Sequence, residues 1–417
     1  MRQLVSGARG FLQSPRIYVL LARCAQLVGQ LLLVLAIPKA LEPALYVHFA
    51  LVLPLGLLGA HIVFGWLARA TYRNVYEVLD PDTSRASDTT VVFTGAAIIV
   101  ALALFALLVW LSDSQYAVVP LLILAIGIRT FILGLVNASE KHRAFFWAHA
   151  AFATAVLVLA IMGTRIDSPA ELISIFTVYA LIELAVSGVF WILISVHPLS
   201  TSMRFHTAIG KRYMTFGIPL VLHNIGVWVV SLSDRYLLTI WESDETVASY
   251  ILTYQLASSV VMVPVTFSMM LVYPNALRLE KEVGLEAAEA FVRTAMKRYL
   301  RWAPILGVAG FFSVWVAMTH LFDNYQTWPT IIAIVVVAHL LLGLTPFQNK
   351  EFELRLAPRT ITISIGLGAA TNVFLNLGLL PLMGVLGAAL STLLAYAVAV
   401  MYLRRKSCWS DAVLPRE

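Results

Sequence analysis

Residues 361–380 read ITISIGLGAATNVFLNLGLL, and residues 383–403, just beyond, read MGVLGAALSTLLAYAVAVMYL. Neither run contains an Asp, Glu, Lys or Arg. A helix rising 1.5 Å per residue needs about 20 apolar residues to cross about 30 Å of hydrocarbon. Each run meets that length, and only Pro381 and Leu382 separate them. Arg355 and Arg359 stand before the first run, and Arg404, Arg405 and Lys406 follow the second. Basic ends and an uncharged joint read as a helical hairpin with its open end in the cytoplasm, because positive loops stay inside.

The same reading extends to the whole chain. Further apolar runs lie near 17–37, 44–68, 90–111, 116–137, 144–163, 171–195, 213–241, 246–273, 299–321 and 328–346. Several are longer than a crossing needs, so tilt or extension past the bilayer is expected. The 417 residues are 60% hydrophobic and 12% charged, with a mean hydropathy of +0.84. Soluble domains run at about 45–50% apolar and about 25% charged. The expected fold is therefore an all-α polytopic membrane protein of about twelve transmembrane helices, with N- and C-termini cytoplasmic.

Charge placement tests this map. Of the 29 Lys and Arg residues, all but five fall in segments that the map puts in the cytoplasm. Lys39 and Arg165 fall in outer loops, and Arg23, Arg129 and Arg235 fall inside apolar runs. A missed helix would invert every later loop and erase this asymmetry. The net charge of +6 is thus a topology signal rather than a nucleic-acid-binding one. The first apolar run has no small-residue cleavage site after it and reads as a retained helix. Cys24 and Cys408 imply no disulfide framework.

Two halves are expected, 1–200 and 201–417, each of six helices. Ile37–Tyr46 and Trp241–Tyr250 occupy matching places after the first helix of each half, a faint internal repeat of the kind transporters carry. Near 283–298, Leu285, Ala288, Val292 and Met296 recur at helical spacing, which predicts an interfacial amphipathic helix or a solvated linker helix.

Charged and amide side chains within apolar runs are costly unless they face water or a partner. On helix 1, Arg23, Gln26 and Gln30 fall on one face. They suit a polar cavity, although Arg23 is also near enough to the inner boundary to snorkel. Helix 7 carries Asn224, Ser231 and the neighbours Asp234 and Arg235, which read as a functional pair or as a structural ion pair at the interface. Helix 8 carries Tyr250, Tyr254 and Ser258. Helix 11 carries Asn372 and Asn376, which also suit simple helix–helix adhesion. Arg129 and Glu183, on helices 4 and 6, could pair. Glu183 is also a candidate ion-coupling site. Prolines at 54, 219, 264 and 304 mark bends or hinges.

No Gly-rich phosphate loop, HExxH, CxxC or nucleophile elbow appears. The chain is read as a non-enzyme with no cofactor and no metal. Asn137-Ala-Ser139 fits a glycosylation sequon but falls at a cytoplasmic helix end.

Several motifs carry a family resemblance. They are Phe216-Gly-Ile-Pro-Leu-Val-Leu222, Asp234-Arg-Tyr-Leu-Leu238, Tyr250-Ile-Leu-Thr-Tyr-Gln-Leu-Ala257, Tyr273-Pro-Asn275, and the run from Asn372 to Thr392 with its Asn-x-x-x-Asn and Pro-x-x-Gly-x-x-Gly-Ala-Ala patterns. Together they resemble the polysaccharide (O-antigen or repeat-unit) flippases of the multidrug/oligosaccharidyl-lipid/polysaccharide exporter superfamily. That family's alanine-arginine-x-leucine-glycine turn after helix 1 is replaced here by Ala36-Ile-Pro-Lys-Ala-Leu-Glu42.

The resemblance implies two six-helix bundles around a central cavity, working by alternating access in the cytoplasmic (inner) membrane. The implied substrate is an undecaprenyl-diphosphate-linked oligosaccharide. Contact with membrane lipids, and with glycosyltransferases or a polymerase, is also implied, in a monomer that binds no nucleic acid. Substrate contacts are then expected at Arg23, Gln26, Gln30, Arg129, Asn224, Ser231, Asp234, Arg235, Asn372 and Asn376, with Glu183 for ion coupling. Guanidinium and amide groups suit a diphosphate and sugar hydroxyls. A multidrug exporter of the same superfamily is the first alternative, and a polysaccharide polymerase or ligase is the second.

Overall fold

A computed structural model describes residues 15–73, 84–111, 115–138, 142–163, 168–194 and 205–413. Every element among them is helical. In chain order they are α1 (Pro15–Leu35), α2 (Ile37–Ala40), α3 (Pro43–Ala60), α4 (Trp66–Arg73), α5 (Ser84–Leu111), α6 (Val119–Ala138), α7 (His142–Gly163) and α8 (Pro169–Ile194). There follow α9 (Thr207–Trp241), α10 (Asp244–Glu282), α11 (Leu285–His320), α12 (Pro329–Leu342), α13 (Thr345–Leu354), α14 (Pro358–Met383) and α15 (Val385–Val413). A π turn, His61–Gly65, joins α3 to α4. At its start the Leu57 carbonyl accepts from the His61 backbone N–H and also meets the His61 Nδ1 at 2.7 Å.

By length and composition, nine helices among the described residues can cross a membrane, and two shorter apolar segments, Cys24–Ala40 and Thr89–Leu104, fall on expected crossings. The remaining run of the sequence map, 213–241, lies in α9. The outward faces are apolar: Phe374 is 79% exposed and Leu382 81%. Such surface suits lipid, not water. The prolines at 54, 219, 264 and 304 sit inside continuous helices. The expected amphipathic segment is helical but is not a separate element, because α11 runs from Leu285 straight into the following apolar run. The run near 328–346 divides instead, at Gly343 and Leu344, into α12 and α13.

The chain forms two compact units, 1–221 and 222–417. The boundary between these units falls inside α9. The first turns of α9 belong to the first unit: Tyr213 is buried with Leu67, Phe131 and Leu135, and Gly217 abuts the Trp66 ring.

In the first unit, α3 and α6 approach closely through small residues. A Cβ at Gly56 would stand 2.7 Å from the Leu122 Cβ, and one at Gly127 would overlap the Phe64 ring. In the second unit, α14 and α15 form the hairpin read from the sequence. Gly384 ends α14 at φ +53, a backbone state that favours glycine. At Gly387 a Cβ would lie 2.5 Å from the Leu379 carbonyl oxygen. The Pro-x-x-Gly-x-x-Gly-Ala-Ala pattern is therefore a tight turn followed by a close helix contact.

Candidate functional site

The second unit holds a buried polar cluster built from α9, α10, α14 and α15. Successive helix residues are rotated by 100°, so Asp234 and Arg235 point to different neighbours. Asp234 is 0% exposed and Arg235 4%. The Tyr250 hydroxyl donates to Asp234 Oδ2 at 2.6 Å, and Thr392 Oγ1 donates to the same oxygen at 3.2 Å. The Arg235 backbone N–H donates to Oδ1 at 2.9 Å. The Arg235 guanidinium lies over the Tyr254 ring, 4.9 Å from its centre. The two side chains form no ion pair with each other, so the interfacial anchor considered for this pair is not what the structure contains.

A second layer surrounds this centre. Ser233 Oγ and Asn376 Nδ2 both donate to Asn372 Oδ1, at 2.8 and 3.0 Å. The Asn372 amide faces Thr392 at 3.5 Å. Tyr396 shares hydrogen bonds with Tyr254 at 2.8 Å and Ser231 at 3.3 Å. His339 meets the Tyr254 ring edge-on at 4.6 Å, with Nδ1 on the Val335 carbonyl. Asn376 Oδ1, Ser391 Oγ, Thr253 Oγ1 and Arg235 Nε are buried without a hydrogen-bond partner among the described residues.

One carboxylate ringed by hydroxyl and amide oxygens is a hard-donor environment. A single negative charge suits a proton or a monovalent cation better than a divalent ion. Among the described residues, no group of three or more His, Cys, Asp or Glu could hold a metal.

Among the described residues, the first unit holds a further pair of intramembrane charges. Arg129 on α6 and Glu183 on α8 do pair, Nε to Oε2 at 3.4 Å, with side chains 16% and 1% exposed. The contact is ionic without hydrogen-bond geometry: Arg129 Nε has no hydrogen-bond partner among the described residues, and the buried Tyr179 hydroxyl lies against Glu183. The guanidinium also stacks on Phe152 of α7, 4.1 Å from the ring centre. On α1, Gln26 is half-buried and Gln30 exposed, and the Arg23 side chain lies outside the described residues. Asn224 is half-buried on α9, with its amide nitrogen unbonded.

The expected site residues thus separate. Ser231, Asp234, Arg235, Asn372 and Asn376 meet in the second unit, while Arg129 meets Glu183 in the first. Sequence reading missed Ser233, Thr392 and Tyr396. Thr392 and Tyr396 are four apart on one face of α15, which was the available signal.

It also missed a charge network in the second unit. Arg355, just past the end of α13, grips Glu289 of α11 through two bonds, at 2.6 and 2.8 Å. Arg293 and Arg355 both reach Glu351 Oε1, at 3.1 and 3.0 Å, and Ser407 donates to that oxygen at 2.7 Å.

No family model matches the chain, and no curated protein matches it. Solved structures do share its fold. The lipid II flippase MurJ, in an inward closed conformation, matches with a TM-score of 0.70 and 15% identity, covering 94% of this chain and 87% of that one. An inward-facing multidrug resistance MATE family transporter of the MOP superfamily matches at 0.62 and 12% identity, covering 96% of each chain. The eukaryotic MATE transporter AtDTX14 matches at 0.58 and 14%, again covering 96% of each. The chain therefore has the twelve-helix exporter fold common to these transporters. At such identities the likeness extends to fold alone.

Proposed function

We propose that the chain is a transporter that moves a lipid-linked, diphosphate-bearing oligosaccharide across the cytoplasmic membrane by alternating access. Undecaprenyl-diphosphate is the expected carrier, and a polysaccharide repeat unit the expected sugar. The observation that carries this reading is the state of the intramembrane arginines. Arg129 meets its carboxylate without a hydrogen bond, and Arg235 has no ion-pair partner among the described residues. A guanidinium kept in hydrocarbon with unused donors suits a phosphate oxygen, which it binds in a fixed planar geometry. The lipid tail stays in the bilayer while the head group crosses, so no bond is made or broken.

Active transport by a chain without a nucleotide-binding motif draws on an ion gradient, the membrane potential or an outside process. Two carboxylates are candidates for that coupling: Glu183, which pairs with Arg129, and Asp234, whose oxygens accept from hydroxyls and a backbone N–H while the Arg235 guanidinium lies in the same cluster. We assign the coupling ion to Asp234 and leave Glu183 the role of holding or releasing Arg129.

A multidrug-exporter reading is favoured by one observation of its own. Both intramembrane carboxylates are buried, as recognition of organic cations requires, and MATE transporters match over 96% of each chain. One experiment separates the two. The purified protein is reconstituted in vesicles, and leaflet-to-leaflet movement of a labelled undecaprenyl-diphosphate oligosaccharide is compared with uptake of a cationic dye. Lipid movement without dye uptake supports the proposal, and the reverse result overturns it.

A further inference from the structure

The α10–α11 hairpin of the second unit carries a groove that the transport reading does not use. Its volume is about 540 Å³, within the range of about 300–1,000 Å³ typical of small-molecule sites. Val272 and Asn275 of α10, with Thr294, Arg298, Trp302 and Leu306 of α11, line it. Its charge is confined to one end, at Arg298. Beyond Arg298 the α11 lining is mostly apolar, through Trp302 and Leu306 to Ala309. Before Arg298 the rim mixes Thr294 with Phe291 and Ala295, and antiparallel α10 adds Asn275. Arg298 to Ala309 is eleven residues, about 16 Å of helix, close to the roughly 15 Å of hydrocarbon in one leaflet.

The charges along α11 are not equivalent. Arg293, on another face, is consumed by Glu289 and Glu351. Arg298 makes no ion pair with any described residue, and its neighbours Lys297 and Arg301 are exposed. Trp302 is exposed beside it, as an interfacial anchor is. By the positive-inside rule this end faces the cytoplasm, where the leaflet is anionic and basic pockets between helices gather acidic head groups.

We propose that this groove is a binding site for one anionic phospholipid of the cytoplasmic leaflet, with its phosphate at Arg298 and one acyl chain along Trp302, Leu306 and Ala309. The charge of the rim and the apolar depth of the groove both match that occupant. The site is separate from the Asp234 cluster and does not depend on which substrate is carried.

The test uses the purified full-length chain in mild detergent, offered phosphatidylglycerol and phosphatidylcholine with identical acyl chains, with bound lipid read by native mass spectrometry. Wild type should retain phosphatidylglycerol in preference. Arg298→Gln should cut that preference about fivefold, the factor expected for one basic residue near a membrane surface. Arg278→Gln, at an exposed position of α10 outside the groove, should leave it unchanged. Thr294→Phe, at an exposed groove position, should lower retention of both lipids. An undiminished preference in Arg298→Gln, or an equal loss in Arg278→Gln, would overturn the proposal. So would unchanged retention in a folded Thr294→Phe protein.

Discussion

Tyr250 on α10 donates its hydroxyl hydrogen to Asp234 on α9 at 2.6 Å, and both side chains are fully buried. The short contact is of the charge-assisted kind, stronger than a bond between neutral groups. It leaves Asp234 Oδ2 shared between Tyr250 and Thr392, so any ion that enters must displace or join these donors. The carboxylate makes no direct ion pair with Arg235, so its hydroxyl partners are the contacts an entering ion would exchange.

If Asp234 carries the coupling ion, Asp234→Asn should remove the response of transport to an imposed Na⁺ or proton gradient. The reconstituted variant should still fold, because asparagine keeps the shape and the oxygen that Tyr250 meets. Gradient-driven transport at the wild-type rate in Asp234→Asn would move the coupling elsewhere, with Glu183→Gln the next variant to measure.

Tyr250→Phe should keep the ring packing and lose the hydrogen bond. Hydrogen bonds to charged groups contribute about 1.5–3 kcal/mol. A fall of that size in unfolding free energy is expected, read from denaturation in detergent. A neutral result would mean that Thr392 and the Arg235 backbone already satisfy the carboxylate.

Arg129 and Glu183 should show strong coupling in a double-mutant cycle. Breaking one partner of a buried pair costs about 3–5 kcal/mol, because the other charge is left uncompensated. Arg129→Gln and Glu183→Gln should each destabilise, and the double variant should recover most of the loss. That stable double variant should nevertheless fail to transport, since the guanidinium is gone. Full transport by it would make the pair purely structural.

The network of Glu289, Arg293, Glu351 and Arg355 should hold the cytoplasmic end of the second unit. Arg355 is bidentate to Glu289, and both side chains are largely buried, so salt screens this pair less than it screens surface charges. Arg355→Gln should lower the melting temperature, and raising salt should reproduce little of that effect in wild type. A wild type that melts as early as the variant in high salt would contradict it.

Glycine at 127 should be required by packing alone. Gly127→Ala places a methyl against the Phe64 ring, and overpacking typically costs about 1–3 kcal/mol. Gly95→Ala, where nothing lies within 4 Å, is the matched control and should be neutral.

Membrane residence and the number of crossings follow from the chain read one segment at a time, and flanking charge gives their expected direction. The run 361–403 already contains the hairpin of α14 and α15, because apolar length and flanking charge are local properties that lipid reads directly. Its Asn372, Asn376 and Thr392 were visible as polar residues in an apolar setting, but their partners were not. Asp234 and Arg235 look like a pair in the sequence and are not one, because a helix turns them 100° apart. Arg129 and Glu183 lie on different helices and are a pair.

Such matches depend on which helix faces are brought together, and those are chosen by contacts as specific as Gly56 against Leu122 or Gly387 against the Leu379 carbonyl. Apolar patterning alone cannot choose them, since a helix apolar on every side offers no preferred face to its neighbours. Which side chain Asp234 meets was thus decided only by tertiary packing, whereas the bilayer crossing that buries it was legible from composition and charge.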